Sequence, residues 1–132
     1  SRVSRGLGDV YKRQIPCYKV AENDEFLAFL DISPLAKGHS LVIPKRETDY
    51  IFDIENGEYS RLWLFAKKLA KAQKKVISCE RIGVAVIGLE VPHAHIHLVP
   101  LSGINDIDFS KTKLSLSDKE MQQIAISISK VF

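Results

Sequence analysis

The run HAHIHLV at residues 93–99 constrains this chain more than any other feature. His93, His95 and His97 alternate with Ala94, Ile96 and Leu98. A β-strand sends successive side chains to opposite faces. The pattern therefore reads as a strand with one face in a core and three imidazoles on the other. Pro92 precedes this strand and Pro100 closes it.

An imidazole is costly to bury without a partner, so three on one face need a reason. A solvated face rich in histidine is the plain reading, but only four of the 132 residues are histidine. A metal site is the second. Same-face neighbours on a strand lie about 6.6–7 Å apart and the outer pair roughly 13 Å apart. Zn–N bonds are about 2.0–2.1 Å, so two of these rings suit one ion better than three. Covalent catalysis is the third. A neutral imidazole, with an unperturbed pKa of about 6.5, is a competent nucleophile near neutrality. Its neighbours can donate to an oxyanion or carry a leaving-group proton.

The remaining chain supplies a domain around this strand. Tyr18 to Ala21 and Glu25 to Asp31 read as two strands joined by a turn at Glu22-Asn23-Asp24. Ser33-Pro34 breaks the second, Gly38 marks another turn, and Ser40 to Pro44 reads as a third strand. Tyr59, Leu62, Trp63, Ala66, Leu69, Ala70, Gln73 and Val76 recur at helical steps. Lys67, Lys68, Lys71, Lys74 and Lys75 lie mostly off that stripe and read as a solvated face. Arg81 to Gly88 reads as a fourth strand. Ser117 and Glu120 form a capping box that opens a C-terminal helix through Met121, Ile124, Ile128 and Val131. Short connections between successive strands favour an α+β domain: an antiparallel sheet of about five strands, one long helix packed on it, and a C-terminal helix.

Residues 1–14 differ in texture and read as a disordered tail or a segment foreign to the domain, which then spans 15–132. That segment holds four basic side chains and one acidic, leaving fifteen of each sign in the rest. A neutral domain does not point to nucleic acid. No apolar run is long enough for a bilayer. A cytoplasmic location is the expectation. Cys17 and Cys79 form no CxxC pair, which suits a reducing compartment and does not support a structural zinc.

HAHIHLV resembles the signature of the histidine triad (HIT) superfamily. FLAFLDISPLAKGHSLVIPKRE resembles the first block of its Hint-like branch, and GLEVPHAHIHLVP the second. The resemblance covers roughly Ile15 to Leu101 and implies a nucleotidyl hydrolase or transferase. Such an enzyme cleaves at the α-phosphorus of nucleoside phosphoramidates or dinucleoside polyphosphates through a nucleotidyl-histidine. By position, the resemblance makes His95 the nucleophile. It gives His97 contacts to phosphate oxygens, His93 a supporting role, and His39 a place beside the triad. It places Asp31 on the ribose hydroxyls and Phe29 and Ile32 on a purine base, with no cofactor or catalytic metal required. It also implies a homodimer through the long helix and a neighbouring strand, for which Trp63 and Phe65 offer apolar surface.

Two departures stand out. Leu89 occupies the place of a phosphate-binding Gln, and RIGVAVIG lacks an Asn common on that strand. Gly88, Glu90 and Val91 are then the candidates to complete the phosphate site. These departures motivate an alternative: a nucleotide-binding regulatory protein with weak or vestigial catalysis. The family's N-terminal segment, which contacts the base, is not recognisable in residues 1–14.

Overall fold

The computed structural model describes residues 17–132, so the reading of residues 1–14 lies outside it. Five strands form one antiparallel sheet: β1 (Lys19–Glu22), β2 (Phe26–Leu30), β3 (Ser40–Pro44), β4 (Arg81–Ala85) and β5 (Ile96–Leu101). Their spatial order is β1-β2-β3-β5-β4. The long helix α1 (Asn56–Val76) and the C-terminal helix α2 (Asp118–Lys130) complete the α+β fold, with 3-10 turns at Ile51–Asp53 and Ile104–Ile107.

The strand pattern explains the layers. All five residues of β2 and of β3 are buried, so these strands are covered on both faces. Ala28, Leu30, Val42, Ile96 and Leu98 join Leu62, Leu69, Met121 and Ile128 in the main core under the helices. Their alternating neighbours Leu27, Phe29, Leu41 and Ile43 form a second cluster with Val91. Phe29 pairs with Leu41, Leu41 with His97, and His97 with Ala85, a row across four strands. His97 thus falls on the face of the second cluster.

The helices follow their local signals. Glu55 caps α1, its carboxylate accepting from the Gly57 and Glu58 amides at 3.0 and 2.8 Å. Leu62, Phe65, Ala66, Leu69, Ala72 and Gln73 form its buried stripe. Phe65 is therefore core and not the dimer surface expected of it, because the stripe is rotated towards positions 65 and 72. Val76 is correspondingly exposed. The five lysines of α1 are all exposed, as a solvated face requires. Ser117 and Glu120 make the expected capping box.

Three strand boundaries differ from the sequence reading by more than one residue. β5 begins at Ile96, not His93, because the chain before it leaves the ladder. The Ala94 amide instead donates to the Thr48 carbonyl at 2.7 Å. β4 ends at Ala85, opposite His97, and its continuation turns through Gly88 at φ 73°. Pro100 lies inside β5. The last β3 partner is Ser40, opposite Leu98, so the missing proline N–H loses no bond to that neighbour.

Candidate active site

The site lies where β5 begins. The three triad histidines and His39 are all buried among the described residues. Ala94, Ile96 and Leu98 go to the core, as the alternation predicts. Because 93–95 precedes the ladder, the three rings are not an evenly spaced row: His95 and His97 stand 4.9 Å apart, centroid to centroid, edge to face.

Backbone groups set the tautomer of each ring. His95 Nδ1 lies 2.8 Å from the His93 carbonyl, which only accepts. Nδ1 therefore carries the proton and Nε2 the lone pair. His93 Nε2 lies 2.8 Å from the Pro44 carbonyl and so donates to it. His39 Nδ1 accepts from the Leu35 amide at 3.0 Å. His39 Nε2 must then be protonated, and it lies 3.0 Å from His97 Nδ1. That nitrogen accepts, which leaves the proton of His97 on Nε2. A backbone amide thus fixes the protonation of His97 through His39.

Burial keeps this pair uncharged. It pushes His39 down to about 4, aided by the charge of Lys113. It pushes His97 down to about 3, aided by His95 and His39. Asp31 is raised by burial, against the Ser33 amide, which donates to its Oδ1 at 2.8 Å. Its other oxygen lies 3.6 Å from His39 Nε2. Asp31, His39 and His97 are the one group among the described residues whose ligand atoms, all within 4.8 Å of one another, are close enough to share an ion. An ion there would have to replace the His39–His97 hydrogen bond.

The nucleotide-binding candidates divide. Asp31 touches the histidine pair. Phe29 is buried in the second cluster beside Val91, so the Val91 side chain is taken up by packing. Ile32 is exposed and opens onto a separate cleft of about 470 Å³ with Cys17, Tyr18, Asp118 and Ile126. Gly88 lines a groove of about 430 Å³ that reaches His95, with Tyr50, Phe52, Trp63 and Ile87. Leu89 and Glu90 are exposed. Leu35, Pro44 and Phe109 escaped the sequence reading. Two of them act through the backbone, and Phe109 sits in a polar loop without periodicity.

The chain is similar to known proteins in sequence and in fold. A family model for the HIT domain matches residues 12–103. An uncharacterised HIT-like protein of Borreliella burgdorferi is 32% identical over 128 residues, covering 91% of this chain and 92% of that protein. An adenosine 5'-monophosphoramidase of Saccharomyces cerevisiae is 37% identical over 92 residues, covering 69% of this chain and 58% of that enzyme. Among solved structures, a Hit-like protein from Bartonella henselae superposes with a TM-score of 0.82 at 26% identity, covering 96% and 94% of the two chains. Sequence blocks, fold and the histidine cluster at the head of β5 converge, and the chain belongs to the HIT family.

Proposed function

We propose that this protein is a nucleotidyl hydrolase or transferase acting at the α-phosphorus of purine nucleoside phosphoramidates or dinucleoside polyphosphates. The observation that carries this reading is the His95 Nδ1–H donated to the His93 carbonyl, which aims an Nε2 lone pair away from its own backbone. In the first step Nε2 bonds to phosphorus and the phosphorus bond to the leaving group breaks. A leaving amine takes a proton from solvent. The positive charge on the nucleotidylated ring is supported by the same carbonyl. In the second step water attacks phosphorus and gives up a proton to solvent, the P–N bond to His95 breaks with its electron pair returning to Nε2, and nucleoside monophosphate departs. His97, neutral with its proton on Nε2, donates to a phosphoryl oxygen. His93 anchors the strand end through Pro44, and Asp31 accepts from the ribose hydroxyls. Neither step needs a metal or another cofactor.

Similarity to a monophosphoramidase supports the substrate class. His95→Ala is expected to abolish release of nucleoside monophosphate from adenosine 5'-monophosphoramidate, and mass spectrometry of quenched wild type to find the adduct on His95. Undiminished turnover in that variant would overturn the reading. A second reading, a regulatory nucleotide binder with weak catalysis, is favoured by Leu89, which is 88% exposed and whose side chain offers phosphate no donor. It predicts tight nucleoside monophosphate binding without turnover across a substrate panel.

We also propose a homodimer through α1 and the neighbouring β4. Leu64 on α1 is 63% exposed and Val84 on β4 is 50% exposed. Light scattering of the wild type should give twice the chain mass, and Leu64→Lys should shift it towards the monomer. No α-helix among the described residues is long and apolar enough to cross a membrane.

A further inference from the structure

Phe109 sits in the loop after β5 and belongs to neither apolar cluster. Its ring partners are histidines. It meets His97 at 4.7 Å between centroids and 68° between planes, and His39 at 6.4 Å and 73°. Both are edge-to-face contacts of the favourable kind. His97 is thereby boxed in by His95, His39 and Phe109.

The loop is built to hold that ring. Lys113 Nζ donates to the carbonyls of Phe109 and Lys111, at 2.5 and 3.0 Å. Asp108 accepts from the Ser110 amide and hydroxyl at 2.9 and 2.6 Å. The Leu114 amide donates to the Pro34 carbonyl at 2.8 Å, which docks the loop on the turn whose Leu35 amide orients His39. One short turn therefore positions His39 from one side and Phe109 from the other.

The geometry points to Phe109 as a positioning residue: its ring excludes water from the His39–His97 hydrogen bond and keeps the His97 Nε2–H turned to the reacting phosphate. This rests on the proposed function for its role in turnover. A phenyl group cannot accept the His39 proton or donate to His97 Nδ1, whereas a water in its place can do both. With water there, His97 has an alternative partner for Nδ1, and its tautomer and ring orientation are no longer dictated by the Leu35 amide.

Two measurements on the purified chain test this. Nitrogen-15 NMR of the histidine rings should show an unprotonated His97 Nδ1 in wild type and averaged ring nitrogens in Phe109→Ala. Phe109→Leu, which still excludes water, should stay near wild type. With adenosine 5'-monophosphoramidate, Phe109→Ala should lose about tenfold in kcat while KM stays within about twofold, since misplacing a reacting group costs rate more than binding. Unchanged ring nitrogens or an unchanged kcat overturns the inference, as does a loss carried by KM alone. If wild type itself shows no turnover, the proposed function falls, and the ring nitrogens alone decide whether Phe109 positions His97. Should the alanine variant fail to fold, Phe109→Val carries the same comparison.

Discussion

His39 makes two hydrogen bonds that point in opposite directions. It accepts at Nδ1 from Leu35 and donates at Nε2 to His97, both at 3.0 Å. A side chain that cannot do both breaks the path from the backbone to His97. His39→Leu is expected to lower kcat about a hundredfold, in the range of a lost hydrogen-bonding group in the transition state, while the nucleotidyl adduct on His95 still forms. Rapid-quench measurement of adduct and product separates the two. Absence of any kcat effect would mean that His97 holds its tautomer unaided. The histidines themselves were legible in the sequence, because alternation puts residue type and face on the page together. What sets their protons was not. The Leu35 amide, the Pro44 carbonyl and the His93 carbonyl are backbone groups that every sequence carries, and only the fold brings them to a ring.

The elements were legible wherever a local signal defines them. The Ser117–Glu120 capping box and the Ser40–Pro44 run each mark an element, and the apolar alternation of 94–98 marks which side chains enter the core. The start of β5 was not legible, because it depends on Thr48 taking the Ala94 amide from a different loop. Gln73 shows the same division. Its place on the helical stripe predicted burial, and it is 0% exposed. Its task depends on the sheet: Nε2 donates to the Gly38 carbonyl at 2.9 Å and the Leu98 carbonyl at 3.0 Å, tying α1 to the end of the β3–β5 pairing. Gln73→Leu fills the space and removes an Oε1 that has no partner among the described residues; it takes the donor from the Leu98 carbonyl, while the Gly38 carbonyl keeps the Ser40 hydroxyl at 2.9 Å. The substitution is expected to destabilise the fold by about 1–2 kcal/mol, read as a lower urea midpoint at an unchanged m-value. A loss below roughly 0.5 kcal/mol would mean that the Leu98 carbonyl finds another donor.

At the scale of the molecule, the sheet divides its labour between faces. Helices cover one, and the other carries the second apolar cluster and the row that includes His97. Burial holds His39 and His97 neutral, at about 4 and about 3 against an ordinary 6.5. Unfolding exposes both rings and returns them to the ordinary value. Below about pH 6.5 the unfolded chain then binds protons that the folded chain does not, so stability rises with pH through this window. The contribution is fully present above about 6.5 and is lost as pH falls towards the folded values. Asp31 acts in the opposite sense near pH 4, since its raised carboxyl takes a proton more readily folded than unfolded. Two imidazoles held down by burial oppose that one raised carboxyl. Thermal unfolding at pH 7.5 and pH 5.0 should therefore differ by more than about 5 °C, lower at pH 5.0. In a His39→Gln, His97→Gln double variant the difference should shrink, because glutamine does not titrate. An equal pH dependence in the double variant would assign the effect to other groups and remove the buried pair as the source of acid sensitivity.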